Sequence, residues 1–161
     1  MITDEAVDEE TMASIKACAV DGASLLKIDS AVLSSDEIVD AIDHGVVKLQ
    51  KSGGLPVSEE EDPAVLLGSL WGYQLVQTFG WQWAIVTFRE HNNTQAIGVL
   101  ALDRSLAIYP FHFIMGCLEN DAPVTIQLAF NILKDQTRIP PLPPNGYENV
   151  MEHAHHPEPD Q

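Results

Sequence analysis

The chain is poor in positive charge. Its 161 residues carry 8 Lys and Arg against 24 Asp and Glu, a formal net charge of −16. Phosphate recognition needs clustered cations, so nucleic acid is excluded as a partner. Anionic lipid is excluded on the same ground. Cysteine is scarce, with only Cys18 and Cys117, both in apolar surroundings. Free thiols in a reducing compartment are the expectation, and the sequence leaves a disulfide open. No long apolar run exists. The most apolar stretch, 96–118, is broken by Asp103, Arg104, Pro110 and His112, whereas a bilayer helix needs about 20 apolar residues. Membrane insertion is therefore not expected. The start, Met1-Ile2-Thr3-Asp4-Glu5, lacks the basic stretch and apolar run of a secretory signal, so the cytoplasm is the expected compartment. Nucleophile-elbow, zinc-protease and phosphate-loop motifs are all missing, and no internal repeat is visible. Neither an enzyme nor a cofactor is expected.

Apolar residues are plentiful, at 45%, enough for one domain with a real core. The charge is unevenly spread. Residues 1–62 hold 15 acids and 4 bases, residues 63–134 hold 4 and 3, and residues 135–161 hold 5 and 1. A nearly neutral middle is flanked by acidic ends. The middle is the expected core, and the N-terminal helices are the expected acidic face.

Met12, Ile15, Ala19 and Val20 recur at helical spacing and predict a first helix over 9–28, ended or kinked at Asp21-Gly22. Ser34 and Glu37 form a capping box for a second helix, with Ile38, Val39, Ile42, Val46 and Leu49 as its apolar stripe. Ser52-Gly53-Gly54 stops it, and 55–61 is a polar connection. Asp62-Pro63 opens a third helix running to Phe79. That helix is apolar nearly all round, as buried central helices are. Its Gly68 and Gly72, one turn apart, predict the close passage of another backbone. The pattern then changes. Residues 81–88, 95–102 and 106–109 read as strands joined by the turns His91-Asn92-Asn93-Thr94 and Asp103-Arg104-Ser105. Residues 111–118 fit either a helix or a strand. Asp121-Ala122-Pro123 predicts a last helix, with Ile126, Ala129, Phe130 and Leu133 on its inner face. Helices, then a strand meander, then a helix give an α+β fold: N-terminal helices on one face of an antiparallel sheet of three or four strands, and a further C-terminal helix. The expected domain spans 1–135. A Pro- and His-rich tail over 136–161 is expected to be extended or disordered.

Candidate chemistry is sparse. His153, His155 and His156, with Glu152, are metal-ligand types, but on a tail of this composition they do not predict a built site. Runs of neighbouring acids are more often solvated than catalytic. Cys117 and His112, five apart, match no helical face well. Asn92-Asn93-Thr94 is a hairpin turn rather than a glycosylation site. Trp71, Trp81 and Trp83 read as core, with one of the strand pair able to line a binding face. The feature that points outward is the acidic one. Asp36, Glu37, Asp40, Asp43, Glu59, Glu60 and Glu61 form the predicted surface for a basic protein, since opposite fields speed encounter.

Leu67-Gly68-Ser69-Leu70-Trp71-Gly72-Tyr73, followed by Gly80-Trp81-Gln82-Trp83 and Ile108-Tyr109-Pro110-Phe111, resembles small bacterial α+β domains in which a Leu-Gly-x-x-x-Gly helix leads into a Trp-initiated strand. The resemblance covers 62–118 and rests on structural glycines and aromatics. Such domains are similar to immunity or accessory proteins found beside toxin and secretion systems. The resemblance implies an immunity protein that neutralises a basic toxin by occlusion. The alternative is a secretion chaperone for an exported effector, which brings with it a homodimer through an exposed apolar face. It carries no site residue over by position.

Overall fold

Helix α3 (Pro63–Phe79) forms the centre of the fold. The computed structural model describes residues 1–52, 62–120, 122–135, 139 and 141–152. Around α3, in chain order, lie β1 (Ile2–Ala6), α1 (Glu9–Leu25), α2 (Ser35–Ser52), β2 (Gln82–Phe88), β3 (Thr94–Leu100), β4 (Leu106–Ile108), α4 (Pro110–Asn120), α5 (Ile126–Lys134) and β5 (Glu148–Asn149). Single 3-10 turns span Arg89–His91 and Val150–Glu152.

Leu67, Trp71 and Leu75 of α3 are fully buried, as expected of a helix apolar all round, and of its large apolar residues only Val65 is exposed. The Asp62 carboxylate accepts the Ala64 N–H at 2.9 Å, Pro63 takes the first turn, and Gly80 closes the helix in the left-handed conformation at φ 72°. The glycines of α3 make room chiefly for rings, and at Gly68 also for the expected backbone, since a Cβ there would lie 3.2 Å from the Phe111 N. A Cβ at Gly68 would meet the Phe111 ring at 2.7 Å, and one at Gly72 the Trp83 ring at 2.2 Å. A closer backbone approach occurs at Gly22. There α1 does not end, though Asp21-Gly22 allows it, but runs on to Leu25. A Cβ at Gly22 would lie 2.5 Å from the Leu66 carbonyl oxygen. The missing side chain lets α1 cross α3, which outweighs glycine's low helix propensity.

The capping box of α2 is formed. The Glu37 N–H donates to Ser34 Oγ and the Ser34 N–H to the Glu37 carboxylate, both at 3.2 Å. Ile38, Val39, Ile42 and Val46 are buried along one stripe, with Leu49 partly buried at its end. The predicted stop at Gly53-Gly54 and the 55–61 connection lie outside the described residues.

The sheet has five strands in the order β1-β2-β3-β4-β5, one more than the upper expectation. It is mixed, since β5 pairs parallel to β4 while the other pairs are antiparallel. The β2–β3 hairpin runs in register from Gln82↔Leu100 to Phe88↔Thr94. It turns through Asn92 and Asn93, both left-handed as Asn tolerates. Residues 111–118 belong to α4, whose first residue is Pro110. The inner face of α5 is the predicted one, but the helix starts at Ile126 rather than at Asp121-Ala122-Pro123. Residues 122–125 are not helical, and Asp121 is outside the described residues.

The period-2 alternation of the strands separates two apolar layers. Trp83, Val99 and Ile108 join the helices in the main core. Ala84, Val86, Leu100 and Ala107 form a smaller cluster on the opposite face, flanked by Ile2, Phe88, Tyr109 and Tyr147. Among the described residues, no helix is long and apolar enough to cross a membrane.

Candidate functional site

The predicted acidic surface is in part a structural one. Asp36 and Glu37 are exposed, while Asp40 and Asp43 are half-buried. The Lys134 ammonium donates to Asp36, tying the end of α5 to the start of α2. Glu37 serves the capping box. Asp43 accepts the Gln127 N–H at 3.0 Å, at the first turn of α5 where amide groups lack helical partners. Glu59, Glu60 and Glu61 lie outside the described residues. Asp40 faces His44 one turn on, 3.3 Å from its Nδ1. The hydrogen bond with the Asp40 carbonyl, and then the Asp40 carboxylate, raise the His44 pKa above 6.5. A pKa raised on folding stabilises the fold below the unfolded value, and that contribution is lost as pH rises through the folded value. The His44 ring is expected to titrate above 6.5 by NMR and to move back toward it in Asp40→Asn; an unmoved midpoint in that variant would refute the pairing.

A sizeable cavity lies elsewhere. About 640 Å³ of space opens where the β2–β3 hairpin end of the sheet meets the start of α4 and the C-terminal strap 147–152. That volume is in the range of small-molecule sites. Phe88, Tyr109, Phe113 and Tyr147 supply aromatic surface, and His91, His112, Glu148 and Glu152 supply polar groups. The Tyr109 ring lies over Gly98, where a Cβ would come within 3.0 Å of it, and 5.8 Å from the Phe88 ring. Its hydroxyl is buried and has no hydrogen-bond partner among the described residues. Burial, then Tyr147 and Glu152, push this phenol up to about 12, so it stays protonated.

A polar node fixes the strap that walls this cavity. Asp4 of β1 receives Arg104 at 3.1 Å and 3.2 Å and the Tyr147 hydroxyl at 2.5 Å. The Tyr147 N–H donates to the Arg104 carbonyl at 2.8 Å, and the Glu148 N–H to that of Ser105 at 3.1 Å. Arg104 and Tyr147 both have left-handed backbones, at φ 59° and 51°. That conformation is costly for bulky side chains and persists only where surrounding contacts impose it. Burial alone would raise the Asp4 pKa; hydrogen bonds from Arg104 and Tyr147 overcome it and hold the carboxyl below 3.8. This node is not legible in the sequence, because Asp4 lies among acids that read as solvated.

The structure does not bring His112 and Cys117 together at one site. His112 lines the cavity, while Cys117 is buried in the core and donates weakly to the Pro123 carbonyl at 3.9 Å. Burial and then Asp43 push its thiol up to about 11, away from the reactive thiolate. Cys18 and Cys117 are both free. Among the described residues no group of three or more His, Cys, Asp or Glu could hold a metal ion. His153, His155 and His156 lie outside them. No protein-family model matches this chain, and no curated protein or solved structure matches it either.

Proposed function

We propose that this chain is a non-enzymatic binding protein that offers an acidic surface to a basic protein, in the manner of an immunity protein covering a toxin. The supporting observation is that the acids of the N-terminal third ride on formed elements. Glu9, Glu10 and Asp21 on α1 and Asp36 and Glu37 on α2 are all exposed. Fixed charges on ordered helices focus a field that steers an oppositely charged partner. The internal contacts of Asp36 and Asp40 do not oppose this reading. Exposed ion pairs are worth about 0–1 kcal/mol, so a partner's Lys or Arg displaces Lys134 or His44 at little cost.

The test is association with the protein encoded beside this one, followed at low and high salt. Binding that is fast at low salt and slowed by salt is expected, and Asp36→Asn with Glu37→Gln slows it further. Absence of association at low salt sinks the proposal. The chaperone alternative calls for a continuous apolar face. The exposed large apolar residues described, Met1, Val20, Val32, Val65, Leu102 and Met115, are borne by separate elements and connections, and nothing in their placement favours it.

A further inference from the structure

We infer that the cavity beside Tyr109 is a binding site for a small organic cation, a primary ammonium on an apolar body. The inference is independent of the acidic helical surface, which the cavity does not share. Four features of the lining carry it. The first is its sign, since among the described residues no Lys or Arg lines the cavity, while Glu148 and Glu152 do, beside His91 and His112. The second is its walls. The Phe88 and Tyr109 rings are tilted at 52° to one another and Tyr147 stands beside them. Aromatic faces attract cations through the ring quadrupole, most strongly where water is displaced. The third is the Tyr109 hydroxyl, buried without a partner among the described residues. A buried hydroxyl left unpaired is costly, and an ammonium that reaches its oxygen as the ring shifts would relieve that cost.

The fourth is that the cavity is held open by features with no evident role in the main core. Gly98 leaves the space that the Tyr109 ring occupies, since any side chain there would press on it. The strap carrying Tyr147 is held by Asp4 and Arg104 with two residues in a strained backbone conformation. Such strain clusters where a ligand or partner needs a fixed geometry. The ligand is read by a carboxylate and ring faces at one end and by the apolar floor, Ile2 and Phe88, along its body. An anion of the same shape meets no Lys or Arg among the described lining residues and faces Glu148 and Glu152, which disfavours it.

Three probes of equal length separate these terms: hexylammonium, 1-hexanol and hexanoate. Each is titrated into the full chain near pH 8, with calorimetry and the ring resonances of Tyr109 and Tyr147 as readouts. Hexylammonium is expected to bind about ten-fold more tightly than hexanol, to shift both tyrosines, and hexanoate is expected not to bind. Glu152→Gln, at an exposed position, should weaken hexylammonium several-fold and leave hexanol unchanged. Tyr109→Phe keeps the ring and should weaken hexylammonium by a smaller factor. The inference is overturned if hexylammonium fails to bind at millimolar concentration, if it binds no better than hexanol, or if Glu152→Gln leaves their ratio unchanged.

Discussion

Replacing Arg104 by Ala is expected to lower the unfolding free energy by about 3 kcal/mol, the cost of leaving a largely buried charge without its partner. The Asp4 and Arg104 side chains are 13% and 21% exposed. Among the described residues, Arg104 brings the positive charge that acts on Asp4. Without it the carboxylate retains the Tyr147 hydroxyl, but burial loses the opposition of the Arg104 hydrogen bonds and charge. The reverse substitution, Asp4→Asn, costs less. Arg104 keeps the carbonyls of Ala101 and Leu102 and the side chain of Gln82 as acceptors.

The same node sets a pH signature. Asp4 has its folded pKa below 3.8. Its contribution is therefore present above the unfolded value and lost as pH falls through the folded one. Urea denaturation at about pH 7 should separate wild type from Arg104→Ala by the full amount, and at about pH 2 by much less, because Asp4 is then being neutralised in both. Equal differences at the two pH values would show that the loss arises from packing of the Arg stem rather than from the charge pair. Tyr147 completes the node from the alkaline side. Burial, then the bond to Asp4, push its phenol up to about 12, so its contribution is complete below the ordinary 10 and lost as pH rises toward 12. Hydrogen exchange at Tyr147 and Glu148 should accelerate in Arg104→Ala before exchange in α3 does, since the strap loses its anchor while the central helix keeps its core.

The residues whose environment is set by local chemistry could be read in advance. The capping box at Ser34 and Glu37, the cap at Asp62 and the left-handed Gly80 each depend on a few neighbours, and each lies where the spacing placed it. The stripes of α2 and α5 were equally legible, because burial of one helix face leaves a 3.6-residue period. The sheet edges were not. β1 holds Asp4 and Glu5 in five residues, and nothing local reveals that Asp4 meets an arginine 100 positions away. β5 is two residues long and has no periodicity to read. The cavity was hidden for the same reason. Phe88, Tyr109, Tyr147 and Glu152 come from separate elements, and only the return of the strap to the sheet makes them neighbours. The acidic patch was legible as charge, but the carboxylates held by Lys134, His44 and Gln127 could not be told from exposed ones by composition.

The α3 glycines also show where pattern reading falls short, and they yield the second large effect. Gly72→Ala should destabilise the fold by about 3 kcal/mol, although alanine favours a helix by about 1 kcal/mol. The added methyl would lie 2.2 Å from two atoms of the Trp83 ring. That ring cannot turn away. It stacks on Phe111 at 5.7 Å and 19°, and meets the edge of Tyr73 at 6.4 Å. Relief requires moving α3 away from β2, which opens the contact between the central helix and the sheet. Gly116→Ala is the control in α4, where an added Cβ meets nothing within 4 Å. There the helix preference acts alone, and a gain of about 0.5–1 kcal/mol is expected. The same substitution in two helices thus carries opposite signs, and chemical denaturation of both variants measures it. Trp83→Leu supplies the decisive comparison. If the ring is the obstacle, Gly72→Ala costs much less in that background, a coupling well above the roughly 0.5 kcal/mol error of additivity. An unchanged penalty would move the cause from the ring to the helix itself.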